Sequence, residues 1–222
     1  MDQYISGLLQ DLSDHKDDQR AVRQKAYMKD HFEFYGLTSP LRKEIQRPYL
    51  LRSNLPSKKK LNSIVKTLWN KPERELQYFS QELVFKYAKN YEKRDITFFE
   101  YMITTKSWWD TVDYIASNIL GSYFKKYPET REDYVDRWIA SNNIWLQRSA
   151  LLFQLKYKEN VDTELLSKII ISLLGSKEFF INKAIGWSLR QYGKFDPEWV
   201  IDFVEGTPLE NLSRREALKL IG

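Results

Sequence analysis

The chain has 222 residues, of which 42% are hydrophobic and 29% are charged. This composition is globular and unlike that of a disordered chain, and the length suits one domain over residues 1–222. The formal net charge of +5, with a pI near 9.1, is compatible with a polyanionic partner but does not require one. Cysteine is absent, which excludes disulfides, thiol nucleophiles and zinc–thiolate sites.

The N-terminal segment, MDQYISGLLQDLSDHKDD, is acidic and amphipathic. It lacks the basic-then-apolar layout of a secretion signal. No apolar run in the chain approaches the roughly 20 residues that a membrane span needs. We therefore expect a cytoplasmic protein.

Apolar residues recur at three- and four-residue steps along almost the whole chain, which predicts helices. Segments 144–157 and 179–192 show this periodicity clearly. The chain has no convincing alternating strand pattern and no Asn-Gly hairpin signal. The sequence therefore predicts an all-α protein.

Capping residues and prolines indicate where several helices begin. Pro40 and Pro197 each follow a residue that can cap a helix, and Asp162 precedes an apolar-periodic segment. Ser213, with Glu216 three residues later, matches the capping-box pattern. We therefore predict that Ser213 is the N-cap of the last helix.

The chain also repeats itself. Tyr78, Asp113, Arg148 and Lys183 follow one another at intervals of 35 residues, in segments of similar pattern. An interval of this length holds two helices and their turns, as in HEAT- or TPR-type solenoids. We predict a superhelical stack of antiparallel helical hairpins, a HEAT-like α-solenoid, whose second helices line a concave face that carries these positions.

The segment KSWWDTVD, residues 106–113, is the densest in functional residue types. The four-residue spacing of Trp109 and Asp113 places indole and carboxylate on one helix face. Arg148 lies one repeat later, in position to pair with Asp113, and Trp187 lies on the following second helix. The alternative is structural: an ion pair that registers neighbouring helices, and tryptophans in the core.

This residue set limits the possible chemistry. His15 and His31 lie away from the column, and we interpret both as surface or packing residues. The chain shows no paired-carboxylate signature, Gly-rich phosphate loop or metal-ligand spacing, which argues against redox, phosphoryl-transfer and acyl-transfer enzymes. One carboxylate between aromatic faces suits stabilisation of a cationic sugar while a sugar–base bond breaks. A base that is already cationic leaves neutral and needs no general acid.

At these residues the sequence resembles the AlkD family of bacterial DNA alkylation-repair proteins, which are HEAT-like-repeat DNA glycosylases. The similarity runs from about residue 18 to the end of the chain. Its most specific stretches are AYMKDHFEFYGL (26–37), TKSWWDTVD (105–113), WIASNNIWLQRSALLFQLKYK (138–158), KEFFINKAIGWSLRQY (177–192) and LSRREALK (212–219).

The resemblance implies removal of cationic alkylated purines, such as 3-methyladenine and 7-methylguanine, from double-stranded DNA. It implies no metal, no cofactor and no flipping of the damaged base into a pocket, unlike most glycosylases. By motif, the catalytic carboxylate corresponds to Asp113, and the indoles that face the sugar correspond to Trp109 and Trp187.

The resemblance also implies residues that hold DNA. Arg148 corresponds to a DNA-contacting arginine, and Tyr27 resembles an aromatic contact from the N-terminal helices. Arg190 and Lys194 follow Trp187 at helical spacing and resemble phosphate ligands, which would hold the duplex without reading its sequence.

We therefore expect a monomeric, monofunctional alkylpurine DNA glycosylase that needs no membrane or metal. Two alternatives stay open. The protein could bind damaged or branched DNA without excising a base, because a retained fold does not guarantee activity. It could instead be a helical-repeat scaffold that binds an acidic protein partner.

Overall fold

The computed structural model describes residues 3–221, which fold into helices joined by short turns. The α-helices are α1 (Gln3–Ser13), α2 (Asp18–Tyr27), α3 (Ser39–Gln46), α4 (Lys58–Trp69), α5 (Arg74–Phe85), α6 (Asp95–Thr104), α7 (Trp109–Tyr114), α8 (Gly121–Lys126), α9 (Arg131–Ala140), α10 (Ile144–Leu152), α11 (Thr163–Ser172), α12 (Phe179–Tyr192), α13 (Pro197–Gly206) and α14 (Asn211–Leu218). Short 3-10 helices occupy Arg47–Leu50, Ala88–Asn90, Pro128–Thr130 and Lys158–Asn160, and a π-helix occupies Ile115–Leu120.

The predicted all-α class is confirmed. Across residues 3–221 there is no β-strand, and the one isolated bridge joins Glu33 and Glu73. None of the helices in this range has the length and apolar character of a membrane span. The chain divides after Asn90 into two compact units, which we call the N-unit (up to Asn90) and the C-unit (from Tyr91). The assignment of the whole chain to one domain stays a prediction.

The N-unit is organised around a buried carboxylate on α5. Glu75 accepts hydrogen bonds from the backbone N–H groups of Tyr35 (3.1 Å), Gly36 (3.0 Å) and Leu37 (3.2 Å). These bonds satisfy the donors of the loop between α2 and α3, which would otherwise be buried without partners. Gly36 has φ = +86°, and a Cβ there would lie 2.0 Å from the Asp17 carbonyl oxygen, so this turn requires glycine.

The C-unit is built on a row of four helices that contact one another in sequence: α7 contacts α10, α10 contacts α12, and α12 contacts α14. We call this the second-helix row. Helices α9, α11 and α13 pack against members of the row. Their shared core contains aliphatic and large aromatic side chains with almost no exposure, including Trp138, Phe124 and Phe153. Successive helices therefore stack within this unit as the α-solenoid prediction requires.

The helix starts follow the predicted period. Helices α5, α7, α10 and α12 begin at Arg74, Trp109, Ile144 and Phe179, which are separated by 35 residues each. Equivalent positions of α7, α10 and α12 therefore lie at the same height in neighbouring helices of the row. This register is what brings Asp113 opposite Arg148.

Most of the predicted helix starts are correct. The Asp162 side chain caps α11 by accepting from the N–H of Leu165, and Asp196 caps α13 directly before Pro197. The prediction for Ser213 is wrong: α14 begins at Asn211, so Ser213 lies inside the helix. Its hydroxyl donates instead to Asn182 on α12, and the supposed capping-box glutamate also faces α12.

A π-helix begins at Ile115, two residues after Asp113, so that α7, residues 115–120 and α8 form one continuous helical segment. The wider turns of a π-helix displace backbone carbonyls from their usual partners, and π-segments are frequent at functional sites. Here two side chains supply donors: Ser117 Oγ donates to the Asp113 carbonyl (2.7 Å) and Asn118 Nδ2 donates to the Tyr114 carbonyl (3.0 Å). The backbone that carries Asp113 is therefore held from below.

Gly121 allows this helical segment to lie close to α10. A Cβ at Gly121 would be 2.8 Å from the Phe153 carbonyl oxygen, and the Tyr157 hydroxyl donates to the Gly121 carbonyl at 2.8 Å. We expect Gly121→Ala to lower the free energy of unfolding by about 1–3 kcal/mol, because the clash is with backbone and outweighs the better helix propensity of alanine. Gly206→Ala is the matched control, since nothing lies within 4 Å of a Cβ there. Urea unfolding of both variants checks this, and equal stability would contradict the close-packing account.

Candidate active site

Side chains from three helices of the second-helix row line one open pocket of about 300 Å³. Helix α7 contributes an indole and a carboxylate, α10 a guanidinium, and α12 two phenyl rings, an indole and two cations. The lining residues are Trp109, Asp113, Arg148, Phe179, Phe180, Lys183, Trp187 and Arg190. Five of the seven predicted site residues are therefore brought together.

The centre of the pocket is an ion pair between α7 and α10. Arg148 Nε donates to Asp113 Oδ1 at 2.7 Å, and Nη2 donates to Oδ2 at 2.9 Å, which is a two-pronged contact. The Arg148 side chain is 4% exposed and that of Asp113 is 15% exposed. The pairing between repeats that the 35-residue interval predicted is present, and the carboxylate still reaches the pocket.

Arg148 also ties this pair to α12. Its Nη1 donates to the Phe180 carbonyl at 2.5 Å, near the start of α12. All three guanidinium nitrogens of Arg148 are thus engaged by the protein itself. This arrangement orients Asp113, whereas the predicted contact of Arg148 with DNA stays a prediction.

Burial makes the Asp113 carboxylate harder to ionise. Loss of solvent raises its pKa above the ordinary value of 3.8, while the hydrogen bonds and charge of Arg148 act in the opposite direction. The negative charge of nearby Asp110 adds to the increase. The pocket therefore contains a partly desolvated anion, whose field is stronger than it would be in bulk water.

The two indoles line the same pocket as this anion, Trp109 from its own helix α7 and Trp187 from α12. A turn with Lys106 in the left-handed region (φ = 51°) precedes Trp109, the first residue of α7, and Asp113 follows one helical turn later. Trp187 projects from the middle of α12, with Lys183 one turn before it. Both indoles are half-buried and line the pocket, in contrast to the core tryptophans Trp69 and Trp138.

Three aromatic rings, one of which (Phe180) also lines the pocket, connect the same three helices. The centroids of Trp108 and Trp145 are 5.7 Å apart, and the Phe180 ring lies 5.2 Å from Trp108 and 5.0 Å from Trp145. Aromatic contacts of this kind stabilise by roughly 0.5–1.5 kcal/mol each beyond the area that they bury. The cluster fixes the spacing of α7, α10 and α12, on which the geometry around Asp113 depends.

The remaining predicted site residues differ in placement. Arg190 lines the pocket and forms an ion pair with Glu216 at 2.5 Å. Lys194 follows the end of α12, is exposed and donates to Gln191 Oε1 at 2.9 Å; it is not among the lining residues. Tyr27 belongs to the N-unit, where it ends α2 with 69% exposure. Their contacts with DNA stay predictions.

Three lining residues were missed at the sequence level. Lys183 already stood in the 35-residue column, and its charge at an inward position was the available signal. Phe179 and Phe180 lie at the start of α12, one turn before Lys183, where helical periodicity alone does not separate a core ring from one that lines a pocket. The structure shows Phe179 to be 57% exposed, which the sequence pattern did not indicate.

Asp113 is the one carboxylate among the pocket-lining residues of the described chain. Within residues 3–221, His, Asp and Glu side chains form no cluster of three or more that could hold a metal ion. The pocket thus combines one oriented anion, two indole faces and cations from α12. Such a set can stabilise a developing positive charge between the rings and bind anionic groups at its edge.

The sequence profile described as DNA alkylation repair enzyme matches residues 8–221 of the chain. The chain therefore belongs to the DNA alkylation repair enzyme family, which implies an enzyme whose substrate is DNA. Among solved structures, it is similar to one described as a predicted DNA alkylation repair enzyme from Enterococcus faecalis. The identity is 33% and the TM-score 0.87, with 93% of this chain and 97% of that chain covered. No curated protein matches the chain.

The buried ion pair gives a test of the site's architecture. Arg148→Ala leaves the Asp113 carboxylate without its counter-ion, and we expect the free energy of unfolding to fall by about 3–5 kcal/mol. Asp113→Ala leaves the buried guanidinium unpaired and should also destabilise. The double variant should lose clearly less than the sum, because neither charge is then left alone. Urea unfolding of the four proteins measures this coupling, and strictly additive losses would contradict the pairing.

Proposed function

We propose that the protein is a monofunctional DNA glycosylase that hydrolyses the N-glycosidic bond of cationic alkylated purines, of the 3-methyladenine and 7-methylguanine type, in duplex DNA. The observation that carries the proposal is the oriented carboxylate of Asp113, held by Arg148 and lying in an open pocket with Trp109 and Trp187. Family membership supports the substrate class.

In the proposed reaction, the bond between sugar C1′ and the base nitrogen breaks, and both bonding electrons leave with the base. The base thereby loses its positive charge, so it needs no proton from the protein. Positive charge develops on the sugar instead, where the Asp113 anion stabilises it electrostatically. Water then adds at C1′, with Asp113 orienting it, and releases a proton to solvent, which leaves an abasic site.

The indoles assist this step through their faces. Trp109 and Trp187 pack against the deoxyribose backbone around the lesion, and a π-face within ~6 Å of a cation is attractive. Following the resemblance, we propose that the damaged base stays in the helical stack and that the side chains approach from the sugar side. No lysine is assigned as a nucleophile, so no strand cleavage accompanies base release.

Two cations at the C-terminal end of α12 would bind the sugar–phosphate backbone of DNA. Arg190 lines the same pocket as Asp113, and Lys194 lies just beyond the end of α12. The exposed Tyr27 of the N-unit would add an aromatic contact with DNA. Arg148, whose donors already bind Asp113 and Phe180, acts in this proposal first by orienting the carboxylate. A monomer in the cytoplasm that needs neither metal nor cofactor completes the proposal.

Replacement of Asp113 by asparagine tests the mechanism. Asp113→Asn keeps the shape but removes the charge, and we expect single-turnover release of 7-methylguanine from a methylated duplex to fall by about 100- to 1,000-fold. Affinity for the duplex should stay similar or rise, because a negative charge near phosphate is lost. The control is Asp136→Asn, the same change in an exposed pair with Lys168, which should retain release. Release by Asp113→Asn at the parental rate would refute the mechanism.

The same assay, combined with a salt titration, separates the alternatives. A non-catalytic binder of damaged or branched DNA releases no base but binds duplex with a linear dependence of log affinity on log salt, about 0.9 per phosphate contact. A scaffold for an acidic protein shows little duplex affinity and no steep salt dependence. The glycosylase shows both release and the salt dependence.

A further inference from the structure

Glu216 of α14 contacts two cations of the pocket at once. Its Oε1 lies 2.7 Å from Lys183 Nζ, and its Oε2 lies 2.5 Å from Arg190 Nη1. The Glu216 side chain is 9% exposed, whereas Lys183 is 38% and Arg190 20% exposed. Both cations line the pocket together with Trp187, which lies between them along α12.

The backbone of α14 is fixed against α12 at this point. A Cβ on Gly186 would lie 2.5 Å from Glu216 Cβ and 2.7 Å from the Ser213 carbonyl oxygen, so the two helices approach as closely as glycine permits. The Ser213 hydroxyl donates to the Asn182 carbonyl at 2.9 Å. The backbone that carries the Glu216 side chain is therefore held close to α12.

This geometry leaves both cations able to bind a further anion. A lysine ammonium has three N–H donors and an arginine guanidinium five, and the ion pairs to Glu216 use one of each. The carboxylate offsets the repulsion between the two cations and limits their rotamers before DNA arrives. Because ordering long side chains costs free energy on binding, such pre-ordering favours a fixed geometry in the complex.

We propose that Glu216 is a positioning residue, which holds Lys183 and Arg190 as one pre-ordered phosphate-binding pair on both sides of Trp187. Two cations and one anion give this group a net charge of +1, so it acts as a single phosphate contact with two directed donors. The partner is the sugar–phosphate backbone next to the lesion. The inference rests on the proposed function, because it states how the scissile sugar is held in register with Asp113.

Glu216→Gln, with Glu210→Gln as its control, tests this. Each substitution removes one negative charge near α14, but Glu210 pairs with the exposed Lys177 outside the pocket. Relative to the control, Glu216→Gln should bind undamaged duplex equally or more tightly, with a salt slope steeper by ~0.9, because the pair now carries one more net charge. Its single-turnover base release should be about 10- to 100-fold slower, since misplacement of the sugar by ~1 Å has an effect of this size.

Glu216→Asp separates position from charge. It keeps the anion but is one methylene shorter, so it cannot reach both cations. Base release should fall as in Glu216→Gln, while the salt slope stays at that of the parent. If Glu216→Asp instead releases base at the parental rate, positioning by Glu216 is refuted.

A variant cycle excludes a purely structural role. In a Lys183→Ala, Arg190→Ala background, adding Glu216→Gln should change the release rate by less than about twofold, because the groups it positions are gone. A further large loss there would overturn the proposal, as would equal salt slopes for Glu216→Gln and Glu210→Gln in the otherwise unchanged protein. If the parent releases no base, the proposed excision fails, and the salt slopes still decide the phosphate pair.

Discussion

The two-pronged ion pair between Asp113 and Arg148 is the contact on which the rest of the site depends. A guanidinium that is 4% exposed requires satisfied donors, and this one binds both carboxylate oxygens of α7 and a backbone carbonyl of α12. One side chain of α10 thereby fixes the two helices that flank it. The ring cluster of Trp108, Trp145 and Phe180 connects the same three helices through aromatic contacts next to the ion pair.

The pair also explains how a buried carboxylate can stay ionised and still be open to the pocket. Desolvation raises the pKa of Asp113, and Arg148 limits the increase while leaving one side of the carboxylate open to the pocket. A fixed anion in a partly dry site stabilises a developing cation more strongly than an anion in water, and it needs no reorganisation during the reaction. The π-helix after Asp113 belongs to the same device, because Ser117 and Asn118 hold the backbone that carries the acid.

The repeat and the central pair followed from the sequence because both rest on spacing. A 35-residue interval placed Asp113 opposite Arg148, and helix starts separated by 35 residues explain why. The error at Ser213 has the opposite origin: Ser-x-x-Glu matches a capping box, but these side chains bind α12 across a tertiary contact that local pattern does not encode. The π-helix at 115–120 was also invisible, since six residues are too few to shift an apolar period. The link from Glu216 to the pocket cations needs coordinates for the same reason.

Excision by a single oriented carboxylate is confined to bases that leave as neutral molecules. The most direct measurement compares single-turnover release from two otherwise identical duplexes, one with cationic 7-methylguanine and one with neutral hypoxanthine. The account predicts release of 7-methylguanine and no release of hypoxanthine above the protein-free rate, because a neutral base needs a proton donor as it leaves. Comparable release of both bases would contradict it and would require a general acid in the pocket.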